Sequence, residues 1–266
     1  MSGPDELKAR QRETWTAGDY ALIGSRLVIV SELLCEAVDL RANHRVLDVA
    51  TGHGNTALAA ARRGCDVTGV DLAPALLEQA RGRAAAEHLP VRFQEGDAEE
   101  LPFPDGTFDV VLSTFGVSFA SDQDRAAQEL LRVCRSGAKI GLVNWAPTGA
   151  NVAEGRVFDS YFPPAPGAPR SLWGTDKGLR GLLGDRVASL QITPRSVVYR
   201  FHSVEAYVDT LRISFGPFMQ RMESLAAERR KGLIRDLVEA LGDFNQSGDE
   251  TLVLPFDYLE TVAVKR

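Results

Sequence analysis

The fold is determined by one short stretch, Val46-Leu47-Asp48-Val49-Ala50-Thr51-Gly52-His53-Gly54-Asn55-Thr56-Ala57. Its apolar start predicts a buried strand, its glycines predict a tight turn, and its alanine-rich continuation predicts a helix. Glycines in such a turn let a ligand approach the backbone closely at the helix N-terminus. The stretch therefore predicts a ligand site at the end of a strand.

Strands and helices alternate on either side of this stretch. Before it, apolar residues recur at helical spacing at Leu27, Val30, Leu34 and Val38. After it, the pattern predicts strands at 65–72, 91–95, 108–114 and 139–145, helices at 57–63, 74–88 and 121–135, an extended segment at 187–201, a mainly helical region at 204–241 and a closing strand at 251–265. This alternation predicts a parallel sheet with helices on both faces.

A proline-rich segment, Phe162-Pro163-Pro164-Ala165-Pro166-Gly167-Ala168-Pro169, interrupts this regularity. Proline removes amide donors and fixes φ, so the segment is predicted to be a surface loop or lid. Long irregular loops in compact domains are usually functional or disordered. We therefore predict that this segment and Trp173 form a mobile cover that orders when ligands bind.

Composition excludes several classes of protein. The 266 residues are 44% hydrophobic and 25% charged, as in soluble globular proteins. The net charge is −6 and the basic residues are scattered, which argues against nucleic-acid binding and favours a small-molecule partner. No signal peptide or long apolar run is present, so we expect a cytoplasmic protein without a membrane span. Cys35, Cys65 and Cys134 are expected to be reduced and packed in the core.

Acidic residues near the glycine turn favour S-adenosylmethionine over a dinucleotide. The turn glycines and Ala57 fit the dinucleotide pattern, and Asp71 follows at about the spacing of an acid that binds ribose hydroxyls. However, Asp48 lies just before the turn, where its charge would repel a pyrophosphate and attract an ammonium or sulfonium group. Asp97 follows the next strand and is placed to accept a hydrogen bond from an adenine amino group.

Two of these acids have a second interpretation. Asp71 also fits a helix cap before Pro74, and Asp48 also fits an acceptor for the amides of the turn. Glu99 and Glu100 are adjacent, so their side chains point in different directions and are expected to be solvated.

Metal binding and nucleophilic hydrolysis are not expected. The four histidines, His44, His53, His88 and His202, show no metal-ligand spacing, and no cysteine lies at a ligand interval. The G-x-S-x-G pattern of a hydrolase nucleophile is missing. The sequence assigns no catalytic residue.

Residues 45–145 resemble the class I S-adenosylmethionine-dependent methyltransferases, especially the methyltransferase type 11 group and the ubiquinone and menaquinone biosynthesis methyltransferases. The matching stretches are Val46-Leu47-Asp48-Val49-Ala50-Thr51-Gly52-His53-Gly54, Gly69-Val70-Asp71-Leu72-Ala73, Gly96-Asp97-Ala98 and Leu101-Pro102-Phe103-Pro104-Asp105-Gly106-Thr107-Phe108-Asp109-Val110-Val111. Two positions depart from the family. Ala50 replaces a glycine, which should be tolerated, and Ser136-Gly137-Ala138 replaces Pro-Gly-Gly, which predicts a looser turn.

The resemblance implies a fold and a domain organisation. The fold is α/β and Rossmann-like, with a seven-stranded, mostly parallel sheet, helices on both faces and a cap formed by the N-terminal helices and C-terminal insertions. The predicted parts are a helical cap at 1–40, a cofactor-binding core at 41–146, a substrate cap with one core strand at 147–250 and a closing strand at 251–266.

The resemblance also implies the site. The predicted cofactor-binding residues are Asp48, Ala50, Gly52, Gly54, Asn55, Asp71, Leu72, Asp97, Ala98, Thr114 and Phe115. The glycine turn would pack on the methionine portion, Asp71 would bind the ribose, and Asp97 with the Ala98 amide would hold the adenine. Thr114 and Phe115 would border the methyl group.

The predicted function is methyl transfer from S-adenosylmethionine to oxygen, carbon or nitrogen of a small acceptor, with aromatic, quinone-like and natural-product compounds as candidate classes. Tyr20, Phe119 and Trp173 are predicted to contact the acceptor. Two alternatives are an NAD-dependent oxidoreductase and a cofactor-binding scaffold that does not methylate. The oligomeric state is left open, a homodimer included.

Overall fold

The computed structural model describes residues 4–164 and 171–266. The helices are α1 (Pro4–Thr16), α2 (Ala21–Gly24), α3 (Val28–Ala37), α4 (Asn55–Arg62), α5 (Pro74–Ala86), α6 (Gln123–Val133), α7 (Gly149–Tyr161), α8 (Asp176–Leu183), α9 (Val204–Ser214), α10 (Gly216–Glu223) and α11 (Ala227–Gly242). The strands are β1 (Arg45–Val49), β2 (Asp66–Asp71), β3 (Val91–Glu95), β4 (Phe108–Thr114), β5 (Cys134–Trp145), β6 (Val187–Phe201) and β7 (Leu252–Lys265). The predicted alternation is confirmed.

The strands form a seven-stranded sheet in the order β3-β2-β1-β4-β5-β7-β6. β1 lies between β2 and β4 and is parallel to both, while β3 and β5 continue the parallel arrangement outward. The chain moves from β1 to β3 in one direction and then returns to place β4 on the other side of β1. Ligands of open α/β sheets bind at such a switch point, beside the carboxyl ends of the strands.

One compact unit comprises residues 27–144, 171–194 and 259–266. It contains β1 to β4 whole, and the apolar stripe predicted for α3 is buried in its core. α3 packs tightly on β5: a Cβ atom on Gly141 would lie 3.2 Å from Cδ1 of Leu34 in the helix and 2.6 Å from Cγ1 of Val38 just after it. Cys35, Cys65 and Cys134 are buried free thiols in this unit, as expected.

A second unit comprises residues 1–26, 145–170 and 195–258, apart from the residues outside the described ranges. Its interior is rich in aromatic side chains. The ring centroids of Tyr199 and Phe256 are 5.1 Å apart, and Tyr207 lies 5.8 Å from Tyr199 and 5.9 Å from Phe256. α11 adds an apolar stripe, Leu233, Leu237 and Leu241, with no exposed surface.

Several boundaries differ from those predicted. β5 begins at Cys134, but its register with β4 shifts between Phe108 and Val110, and the intervening Ser136-Gly137-Ala138 has no paired residue in β4. Gly137 has a φ of 75°, so this stretch is an irregularity within the strand, in line with the looser turn predicted there. Cys134 belongs to the strand because it pairs with Phe108 of β4, and the local sequence does not show this pairing. Residues 27–40 and 171–194 group with the sheet unit and not with a cap. The proline-rich segment lies partly outside the described residues.

Candidate cofactor site

The glycine turn between β1 and α4 takes a left-handed backbone conformation at three positions. The φ angles are 53° at Ala50, 56° at Gly52 and 92° at Gly54. A left-handed φ costs an L-residue roughly 1–2 kcal/mol, so glycine is favoured there. Ala50 is accommodated because Gly116 lies opposite, where a Cβ atom would come within 2.5 Å of the Ala50 Cβ. The predicted tolerance of alanine therefore depends on a second glycine 66 residues along the chain.

Asp48 is the second-last residue of β1, and its side chain contacts residues of the turn and of α4. Its carboxylate Oδ2 accepts hydrogen bonds from the Thr51 hydroxyl at 2.6 Å and the Ala57 amide at 2.9 Å. The residue is 1% exposed, and burial raises the pKa of Asp48 to about 7 although both hydrogen bonds oppose the shift. The structure thus gives Asp48 the second of its two predicted roles, as an acceptor for the turn.

Asp71 ends β2 and connects the same turn to the start of α5. Its Oδ2 accepts from the Gly52 amide at 2.8 Å, and its Oδ1 accepts from the Ala73 amide at 2.9 Å. The residue is 8% exposed. Burial raises the pKa of Asp71, and the amides of Ala73, Gly52 and Leu72 counteract that rise. Each carboxylate oxygen has a second lone pair for a further donor.

Asp97 follows β3 at the same edge of the sheet, since Glu95 of β3 pairs with Asp71. Asp97 and Ala98 are half-buried, and Oδ1 of Asp97 accepts from the Glu99 amide at 2.9 Å. The predicted adenine contacts are therefore brought to the same sheet edge as Asp71.

Two residues of α6 hold the loop after Asp97, and the sequence analysis missed both. Glu129 is 3% exposed and accepts from the Leu101 amide at 2.7 Å. Arg132 donates to Glu129 at 2.7 Å and to the carbonyl oxygens of Leu101 and Phe103 at 2.9 and 2.7 Å. The acid and base three residues apart on one helix were the available signal.

Arg83 of α5, also missed, fixes the outer part of the glycine turn. Its Nη1 donates to the carbonyl oxygen of His53 and to Oδ1 of Asn55, each at 2.8 Å. The oxygen of Asn55, a predicted cofactor residue, is thus engaged by the protein. Burial, and then the charge of Arg83, lower the pKa of His53 to about 4, so its imidazole is neutral at physiological pH.

The end of β4 carries Thr114 and Phe115. The Thr114 hydroxyl accepts from the Thr56 hydroxyl at 2.8 Å, and Thr56 lies 2.9 Å from the hydroxyl of Ser31. Thr114 is half-buried, whereas Phe115 is 4% exposed with a φ of 65°. Thr114 is therefore partly accessible at the end of β4, whereas Phe115 is buried.

Comparisons with known proteins agree with this geometry. A family model described as a methyltransferase domain matches residues 46–137. A demethylmenaquinone methyltransferase of Thermus thermophilus is 44% identical over 157 residues, which cover 54% of this chain and 71% of that protein. The chain belongs to the class I S-adenosylmethionine-dependent methyltransferases. S-Adenosylmethionine is the cofactor of this family.

Two further comparisons extend over the whole chain. An uncharacterized protein of Mycobacterium tuberculosis is 38% identical over 274 residues, covering 98% of this chain and 96% of its own length. The crystal structure of the YcgJ protein of Bacillus subtilis has a TM-score of 0.65 at 23% identity, covering 89% of this chain and 97% of that one. The similarity to the mycobacterial protein and the fold shared with the Bacillus subtilis structure thus extend beyond residues 46–137.

The three residues that were predicted to contact the acceptor differ in their exposure. Phe119 is 41% exposed in the sheet unit. Trp173 has no exposed surface in this structure, and its contact with an acceptor stays a prediction. Tyr20 is half-buried in the second unit, where its ring packs edge-on against Trp15 at 6.0 Å.

The described residues also bear on metals and membranes. No group of three His, Cys, Asp or Glu side chains within residues 4–164 and 171–266 is arranged to hold a metal ion. None of the described helices has the length and apolar composition needed to cross a bilayer.

Proposed function

We propose that this protein transfers the methyl group of S-adenosylmethionine to a small-molecule acceptor. One observation carries the proposal beyond family membership: the carboxylates of Asp48 and Asp71 occupy the amides of Ala57 and Gly52. In a dinucleotide enzyme, amides at this turn and helix N-terminus face a pyrophosphate. A turn already closed by two carboxylates disfavours phosphate and suits a cofactor that carries positive charge.

The residues at the sheet edge fit the cofactor's chemistry. Asp71 has free lone pairs for the ribose hydroxyls, and half-buried Asp97 supplies an acceptor for the adenine amino group. Gly52 would let the methionine portion approach the backbone, whereas the missing side chain of Gly54 lets the turn pack against Ala80 and Phe93. Thr114 would border the reacting methyl group. These assignments follow the family resemblance and the placement of each residue.

When bound, the cofactor supplies an electrophilic methyl group on a positively charged sulfur. The protein's own contribution is alignment and exclusion of water. The acids at the sheet edge orient the adenosine, and the rigid turn between β1 and α4 fixes the methionine portion. The proposal assigns no catalytic base at this edge.

For the acceptor we propose a small organic molecule, with aromatic and quinone-like compounds as first candidates. The Thermus thermophilus relative is named for methylation of demethylmenaquinone, and it matches about half of this chain. We also propose that the protein acts in the cytoplasm.

Calorimetric titration with S-adenosylhomocysteine, followed by NADH in competition, tests the cofactor assignment. We expect S-adenosylhomocysteine to bind and NADH to leave its affinity unchanged; displacement by NADH would instead favour the oxidoreductase alternative. Consumption of methyl donor with a library of phenols, quinones, amines and natural-product precursors then tests turnover. Cofactor binding without turnover of any acceptor would favour the non-methylating scaffold.

A further inference from the structure

A half-buried carboxylate lies in the aromatic interior of the second unit. Glu154 extends from α7, and its Oε1 accepts a hydrogen bond from the Tyr207 hydroxyl of α9 at 3.0 Å. Tyr207 is 2% exposed and packs against Tyr199 and Phe256, which are each 4% exposed. The wall beside the carboxylate is therefore aromatic, and Glu154 as a residue is half-buried.

Within the described residues, Glu154 forms no ion pair. Its hydrogen bond to Tyr207 is the one polar contact found for its side chain in that part of the chain. Buried and half-buried charges in proteins are ordinarily paired, because an apolar environment raises the cost of an isolated charge. Burial accordingly raises the pKa of Glu154 to about 7, against the lowering effect of Tyr207.

Among the described residues, Arg26 forms no ion pair with this carboxylate. Arg26 stacks its guanidinium 4.2 Å above the Phe201 ring and donates to the Leu22 carbonyl. Tyr199 faces Glu154, Tyr20 and Arg26, and burial raises its pKa well above the usual value, so its hydroxyl stays neutral. Burial also raises the pKa of Tyr207, which keeps it a hydrogen-bond donor to Glu154.

We propose that Glu154 and Tyr207 form a recognition site for an organic ammonium group, and that the methyl acceptor carries this group. The ammonium site is argued from the geometry of this unit. That the methyl acceptor carries the ammonium group rests on the proposed function. A carboxylate without a counter-ion beside aromatic rings is complementary to an ammonium on an apolar body, through charge attraction and cation–π contact. Tyr207 orients the carboxylate through its hydrogen bond.

The test uses two matched probes, 2-phenylethylamine and 2-phenylethanol, titrated into the full-length protein and followed by NMR. The probes have the same ring and chain length and differ in the ammonium group. We expect the amine to bind the wild-type protein at least about tenfold more tightly than the alcohol at pH 8. Its affinity should fall toward pH 6, as Glu154 takes up a proton. Equal affinities, or no binding of either probe, would overturn the proposal.

Three variants test whether the preference for the amine depends on Glu154 and Tyr207. Glu154→Gln keeps an acceptor for Tyr207 but removes the charge, so the amine should lose its preference and its pH dependence. Tyr207→Phe removes the donor, so the pH profile should move to higher pH while the preference remains. Asp159→Asn, an exposed change of the same charge on the same helix, should behave as wild type. An amine preference that survives in Glu154→Gln would contradict the assignment.

S-Adenosylhomocysteine binding is measured on the same samples. Wild-type protein that binds the amine through Glu154 but not S-adenosylhomocysteine would sink the proposed function and leave the ammonium site standing. Intact S-adenosylhomocysteine binding with no amine preference would sink the ammonium site alone.

Discussion

Substitution of Asp71 by alanine separates a structural role from a cofactor role. The change removes the acceptors of two amides, Gly52 at 2.8 Å and Ala73 at 2.9 Å. A buried donor left without an acceptor costs about 1–3 kcal/mol, so two cost about 2–6 kcal/mol. Because burial already raises the pKa of Asp71, the ionised carboxylate is itself costly, and we expect the lower half of that range, about 2–4 kcal/mol.

Urea unfolding at neutral pH, without ligand, measures this loss. Asp71→Asn retains one acceptor oxygen and should lose about half as much stability. Asp66→Ala is the matched control, since Asp66 starts the same strand and forms an exposed ion pair with Arg92 at 2.7 Å. Such pairs contribute about 0–1 kcal/mol. A wild-type urea midpoint for Asp71→Ala would refute the reasoning.

Calorimetry on the folded variants then measures cofactor affinity. If Asp71 binds the ribose, each charge-assisted hydrogen bond contributes about 1.5–3 kcal/mol, so S-adenosylmethionine should bind Asp71→Ala roughly ten- to a hundredfold more weakly. A destabilised Asp71→Ala protein that keeps wild-type affinity would show that the residue only holds the turn.

Three further outcomes are expected. Asp48→Asn keeps an acceptor oxygen for Thr51 and Ala57 but cannot ionise. Because the folded-state pKa of Asp48 is raised to about 7, the wild-type protein should lose stability relative to the variant as pH rises from about 4 to 7. The same difference in urea midpoint between the two proteins at pH 5 and at pH 8 would contradict this. Glu129→Ala leaves the Leu101 amide without its acceptor and removes one of the acceptors of Arg132, so it should cost about 1–3 kcal/mol in thermal or urea unfolding. A change below about 0.5 kcal/mol would argue against a fixed loop. EDTA should leave cofactor affinity and methyl transfer unchanged, and activity that is lost with EDTA and restored by one specific metal would show a metal requirement.

Much of the fold could be predicted because its signals are local. Apolar runs, helical spacing and glycine turns lie within a few residues of each other, and they predicted the alternation from β1 to β5 and the later β6 and β7. The order of acids along the chain also predicted the cofactor edge, since the carboxyl ends of parallel strands meet at one side of a sheet. β5 was predicted too short because its first residue, Cys134, joins the strand by pairing with Phe108, a distant position that the local sequence does not reveal.

The tertiary structure alone decided which partner each polar side chain takes. The sequence placed Asp48 and Asp71 near the turn, but only packing shows that both carboxylates close on backbone amides. Trp173 carries no local sign that its ring is fully buried. Glu154 and Tyr207 meet across 53 residues of chain. Sequence periodicity records which face of an element is apolar, whereas hydrogen-bond partners and desolvation depend on atoms that the fold brings together from distant positions.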